Sequence, residues 1–136
     1  MMKSLIAAAS LALLGAALPA AAHGPETVTP LFKRELPNVP GKALIAVEVS
    51  YPPGTASPSH THPKSAFIYA YVLSGEIVSA VGDEQPRVYK TGDSWYEAPG
   101  ARHTVSRNAS KDKPAKLLAV FVSDKDEREL VQPDAR

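Results

Sequence analysis

Glycine, proline and aspartate cut this chain into short pieces, and that punctuation rules out any fold built from long helices. Ser74-Gly75, Gly82-Asp83, Thr91-Gly92-Asp93 and Pro99-Gly100 divide segments rich in β-branched and aromatic residues. Those segments cover residues 43–50, 67–73, 76–81, 87–90, 94–97, 103–107 and 116–123. Each has the length and composition of a strand. No stretch after residue 22 places apolar residues at helical spacing over ten or more positions. Many short strands with regular turns predict an all-β sandwich or barrel rather than an alternating α/β fold.

The ends of the chain obey different rules. Lys3, an apolar run over residues 5–18 and then Ala20-Ala21-Ala22 read as a secretory signal cleaved after residue 22, so a secreted or periplasmic location is expected. Residues 23–42 hold Pro25, Pro30, Pro37 and Pro40 and suit an irregular arm or an edge strand that covers the barrel. The barrel itself is expected over residues 43–123, followed by a charged tail, 124–136, as a short helix or a surface strap. A formal net charge of +1 and no basic run give no electrostatic basis for binding nucleic acid. With no cysteine, disulfides cannot stabilise an exported domain, which leaves a core, an interface or a metal to do so.

Three of the four histidines stand in two places, His60-Thr61-His62 and His103. On an extended strand the i and i+2 side chains share a face, so His60 and His62 can point at one target. Pro53, Pro58 and Pro63 stiffen the approach, and Pro99-Gly100 turns the chain into His103. Three imidazoles with open positions suit iron, manganese, nickel, zinc or copper, not a calcium cage of oxygens. On spacing alone, the same residues are also read as surface histidines or as carbonyl partners.

Residues 54–75, with His60, His62 and the later Tyr-Val-Leu-Ser-Gly, resemble the first motif of the cupin superfamily. GDSWYEAPGARH, residues 92–103, followed by Asn108, resembles the second. The resemblance implies a double-stranded β-helix, a jelly-roll barrel, with His60, His62 and His103 as ligands of a divalent metal inside it. It also implies that Gly75 and Gly92 are turn glycines in the barrel wall. Three departures stand out. Ala66 and Phe67 occupy the place of the family's first-motif glutamate, the distance from His62 to Gly75 is slightly longer than the family spacing, and the second-motif proline, Pro99, sits one place late.

Glu97 stands on the segment leading to His103, and strand alternation puts it on one face with Trp95, so it is the candidate to replace the missing carboxylate as ligand or base. Tyr69 and Tyr71 share a strand face with Phe67 and are candidate hydrogen-bond donors to a ligand; core packing is the commoner role of such residues. Arg102 is a candidate for holding an anionic substrate at the barrel mouth. The expected function is a metal-binding cupin, a dioxygenase-type oxidoreductase of a small organic substrate. The alternatives are a non-catalytic cupin that captures a small molecule or metal, and a structural jelly roll. A homodimer is the other expected partnership, with residues 118–122 supplying part of an apolar outer face.

Overall fold

The computed structural model describes residues 25–135, so the expected signal segment lies outside the described residues. Ten strands follow in order: β1 Thr27–Glu35, β2 Lys42–Tyr51, β3 His60–Thr61, β4 Phe67–Ser74, β5 Glu76–Val81, β6 Arg87–Lys90, β7 Ser94–Glu97, β8 Arg102–Asn108, β9 Ala115–Asp124 and β10 Gln132–Pro133. They form two antiparallel five-stranded sheets, β1-β2-β9-β4-β7 and β10-β3-β8-β5-β6, which face each other as a double-stranded β-helix.

Alternation decides which way each strand faces. In β2 every second residue from Ala43 to Tyr51 is buried, and in β9 every second residue from Ala115 to Ser123. The two strands pair along their whole length, Lys42 opposite Asp124 and Tyr51 opposite Ala115, so their apolar sets fall on one inner face. Ile68, Ala70 and Val72 of β4 join that face. The opposing sheet turns a different chemistry inward: His60, Ser79, His103 and Ser106 are all buried there. Apolar residues Ile77, Val78, Ala80 and Tyr89 are buried in that sheet as well, so its polar surface is confined to the region around the histidines.

The proline-rich arm resolves into β1, a nine-residue edge strand whose residues are all exposed. Its pairing with β2 shifts between Pro30 and Phe32, the kind of irregularity an edge tolerates where proline lacks a donor. The charged tail is a strap: its last strand, β10, pairs with β3, Gln132 opposite Thr61 and Pro133 opposite His60. Leu118, Val120 and Val122 lie half-buried on the outer side of the first sheet, beside the exposed rings of Phe67, Tyr69 and Tyr96.

Gly75 shows why the turn between β4 and β5 needs glycine. Its φ is 70°, and an added Cβ would stand 2.6 Å from the Pro114 carbonyl oxygen and 2.8 Å from the Ala115 Cβ. Asn108 likewise serves the scaffold, since its Nδ2 donates to the carbonyls of Tyr51, Pro52 and Lys113 and fixes the loop ahead of β9.

Candidate metal centre

The register of the second sheet brings the two histidine segments together. β3 pairs with β8 so that His60 and His103 are direct partners, and Val81 of β5 pairs with His103 on the other side. His62, just past β3, stays extended because its N–H donates to the Ala101 carbonyl at 3.0 Å. Thr61 points the other way, and all three histidines are buried. Ring centroids lie 4.8 Å apart for His60 and His62, 5.1 Å for His60 and His103, and 6.3 Å for His62 and His103.

Backbone carbonyls fix two of the tautomers. A carbonyl only accepts, so Nδ1 of His60, 2.7 Å from the Pro58 oxygen, carries a proton, and so does Nδ1 of His62, 2.7 Å from the Leu130 oxygen. In the neutral rings Nε2 then presents a lone pair, the arrangement that orients metal-ligating histidines. His103 has Nδ1 3.2 Å from Glu97 Oε1 and Nε2 2.9 Å from the Ser79 hydroxyl, which can donate or accept.

Glu97 enters the same space from β7, on the other sheet, and is fully buried. Its Oε1 accepts from Trp95 Nε1 at 3.2 Å, whereas its Oε2 has no hydrogen-bond donor although His62 Nε2 is only 3.0 Å away. Two acceptors thus face each other at hydrogen-bond distance. Such a contact is stable only with a proton or a cation between them. Burial would lower the His62 pKa, but the Glu97 carboxylate overrides it and holds that imidazole above its usual value. Burial would raise Glu97, and the neighbouring imidazoles instead hold it below the ordinary carboxylate range. His103, dominated by burial, falls to about 4, and His60 is also lowered by burial.

The donor set fits a divalent first-row ion. One ring nitrogen from each of His60, His62 and His103 lies within 4.8 Å of the others. An ion held at about 2.0–2.2 Å needs donors roughly 3–3.5 Å apart, so the rings would close by about an ångström, within the reach of small side-chain rotations. The carboxylate oxygen without a donor supplies negative charge at the same place.

The other sequence candidates land elsewhere. Because Ile68, Ala70 and Val72 face inward, Tyr69 and Tyr71 point outward, Tyr69 with 43% of its surface exposed, and neither lines the cavity around the histidines. Arg102 is exposed too, for the same reason of alternation: His103 beside it points in. Its Nε donates to Asp134 of the tail at 2.8 Å, so it fastens the strap rather than facing the cavity. Asp134 also accepts from Ser59 and Thr61, and these partners hold its pKa below the usual value.

Three contributors were missed by sequence reasoning. Leu130 aims His62 through its carbonyl, Ser79 meets His103, and the hydroxyls of Tyr51, Ser57 and Ser106 form a cluster with Tyr51 Oη 2.8 Å from each serine. Backbone carbonyls and isolated serines carry no sequence signal. The cavity they share with the histidines has a volume of about 390 Å³. Its apolar wall comes from Val47, Val49, Ile68, Ala70, Leu117 and Phe121, and its rim from Leu130, Val131 and Pro133 of the strap.

Comparison with known proteins agrees with this architecture. The cupin-domain family model matches residues 47–121. Over 100 residues the chain is 31% identical to germin-like protein 9-3 of Oryza sativa subsp. japonica, covering 71% of this chain and 46% of the rice protein, about half of that relative's length. Among solved structures, TT1209 from Thermus thermophilus superposes with a TM-score of 0.60 at 27% identity, over 73% of this chain and 84% of that one. An oxalate oxidase in complex with the substrate analogue glycolate superposes with a TM-score of 0.57 at 24% identity, over 72% of this chain and 51% of that one, and shares the fold. With the family match spanning most of the double-stranded β-helix and both histidine segments, the chain belongs to the cupin superfamily.

Proposed function

We propose that this protein is a metal-dependent oxidoreductase of the dioxygenase type, acting on a small organic substrate after export from the cytoplasm. One observation carries the reading: the buried Nε2 atoms of His60 and His62, with Nδ1 fixed by carbonyls, converge with a buried Glu97 oxygen that lies 3.0 Å from His62 Nε2. A buried cluster of acceptors is unfavourable until a proton or a cation occupies it, and three imidazoles beside one carboxylate form a donor set for a divalent ion.

In this reading His60, His62 and His103 hold the ion, and Glu97 supplies the carboxylate that residues 66 and 67 lack. The ion supplies Lewis acidity and, if it is iron, manganese or copper, electron exchange with the substrate. The chain does the rest. Leu130 and Pro58 keep two rings aimed, the strap and the apolar wall exclude bulk water, and Trp95 Nε1 holds Glu97 Oε1 so that Oε2 is turned towards the histidines.

The test is elemental analysis of protein recovered from its native compartment, together with cobalt(II) titration of the wild type and His60→Ala. About one ion per chain in the wild type, with cobalt d–d bands that His60→Ala loses, is the expected result. A chain that takes up no divalent metal refutes the proposal. Oxygen consumption that depends on both metal and substrate separates an oxidoreductase from a binding module.

A further inference from the structure

The walls of the cavity restrict what it can hold. Among the described residues that line it, none is Lys or Arg; the charged ones are Glu97, deep inside, and Glu26, at the open side near β1. Most of the remaining lining is aliphatic or aromatic and belongs to one sheet. The neutral polar groups on the walls, Tyr51, Ser57 and Ser106, are hydrogen-bonded through Tyr51 Oη, which uses two of their three hydroxyl protons. A divalent ion beside one carboxylate leaves a single positive charge, and nothing else in the cavity balances a second negative one.

We infer that the cavity accepts an organic monoanion with one oxygen-bearing head and an apolar body, and discriminates against dianions. The head belongs at the histidines and Glu97, and the body against Val47, Val49, Leu117 and Phe121. A second carboxylate on that body would be buried among aliphatic side chains with no cation to balance it and at most one hydroxyl proton of the Tyr51 cluster to meet it, which is unfavourable. The cavity volume of about 390 Å³ fits a single ring with a short chain, within the range of ordinary small-molecule sites. Oxalate, a compact dianion, matches neither the charge nor the apolar wall. This inference rests on the metal centre proposed above and adds the class of molecule that centre receives.

Calorimetric titration of the zinc-loaded full chain tests it, with zinc content measured on the same sample before and after. The probes are 3-phenylpropionate, 4-(2-carboxyethyl)benzoate, which puts a second carboxylate on the same skeleton, and oxalate. Expected is binding of phenylpropionate at least tenfold tighter than either dianion, with a negative heat-capacity change. Ala119→Leu, which fills the apolar side, should weaken phenylpropionate binding at least tenfold while zinc content is retained. Val131→Arg, a change at the exposed rim, should raise affinity for the dicarboxylate and narrow the difference. Equal or tighter binding of a dianion to the zinc-loaded wild type, or no binding of phenylpropionate at about 10 mM, overturns the inference and leaves the metal centre standing. Failure to take up zinc or any other divalent first-row ion overturns both.

Discussion

Glu97 and His62 meet at 3.0 Å although they approach from opposite sheets, Glu97 on β7 and His62 from the segment that continues β3. The contact joins the two walls of the barrel at one charged point, and it makes the state of each side chain depend on the other. In the metal-free protein, Glu97→Gln should remove the influence that holds the His62 pKa up and leave burial to lower it. Titration of the His62 ring followed by NMR reads this directly; an unchanged His62 midpoint in the variant would show that the carboxylate does not control the ring.

An ion bound between the sheets stabilises the folded chain by mass action. At a free concentration about a hundred times Kd the gain is about 2.7 kcal/mol, worth several degrees or more in Tm for a domain of this size. Thermal melts with zinc and then with excess chelator should differ by that amount in the wild type and by little in His60→Ala.

The strap acts on the centre through one carbonyl. Ending the chain after Glu129 removes the Leu130 oxygen that fixes His62 Nδ1, and with it Val131 and Pro133 from the rim. Metal affinity measured by competition with a chromophoric chelator should fall by about ten- to a hundredfold, the usual consequence of losing the partner that orients a ligating histidine. Unchanged affinity in the truncated chain would remove the strap from the site.

Acid destabilises the metal-free protein over a defined window. His103 has a pKa of about 4 in the folded chain against 6.5 for an ordinary histidine, because burial disfavours its charged form. Between those values the unfolded chain binds the proton that the folded chain refuses, so stability is present above pH 6.5 and is lost as pH falls towards 4. His60 shifts in the same direction, and His62, held up by Glu97, offsets part of the loss. Tm of the chelator-treated protein should fall from pH 7.5 to pH 5, and less steeply in His103→Gln.

Two further substitutions separate scaffold from site. Gly75→Ala must place a Cβ against the Pro114 carbonyl oxygen at positive φ, a strain of about 1–3 kcal/mol that should lower Tm by several degrees with metal stoichiometry unchanged. Tyr69→Phe, on the outward face, should alter neither metal binding nor ligand affinity; a tenfold loss in either would return that hydroxyl to the site.

By itself the sequence determined seven of the ten strands, β2 and β4 to β9, because β structure is written in local pattern: turn residues marked where β4, β5, β6 and β7 end, and period-two alternation showed that Glu97 and Trp95 share a face. The same rule placed His60 and His62 together, and the motif resemblance named His103 as their companion. Alternation, however, defines two faces without saying which is inside. Only packing against β9 and β7 turned Ile68, Ala70 and Val72 inward and so carried Tyr69 and Tyr71 out of the site, and only the burial of Trp95 and Glu97 brought the carboxylate in. Long-range pairing decided the remainder. The tail joins β3 through β10, which draws Arg102 into an ion pair with Asp134 and delivers the Leu130 carbonyl to His62. Contacts between residues so far apart in the chain depend on how both sheets close, and no local pattern of residue types records them.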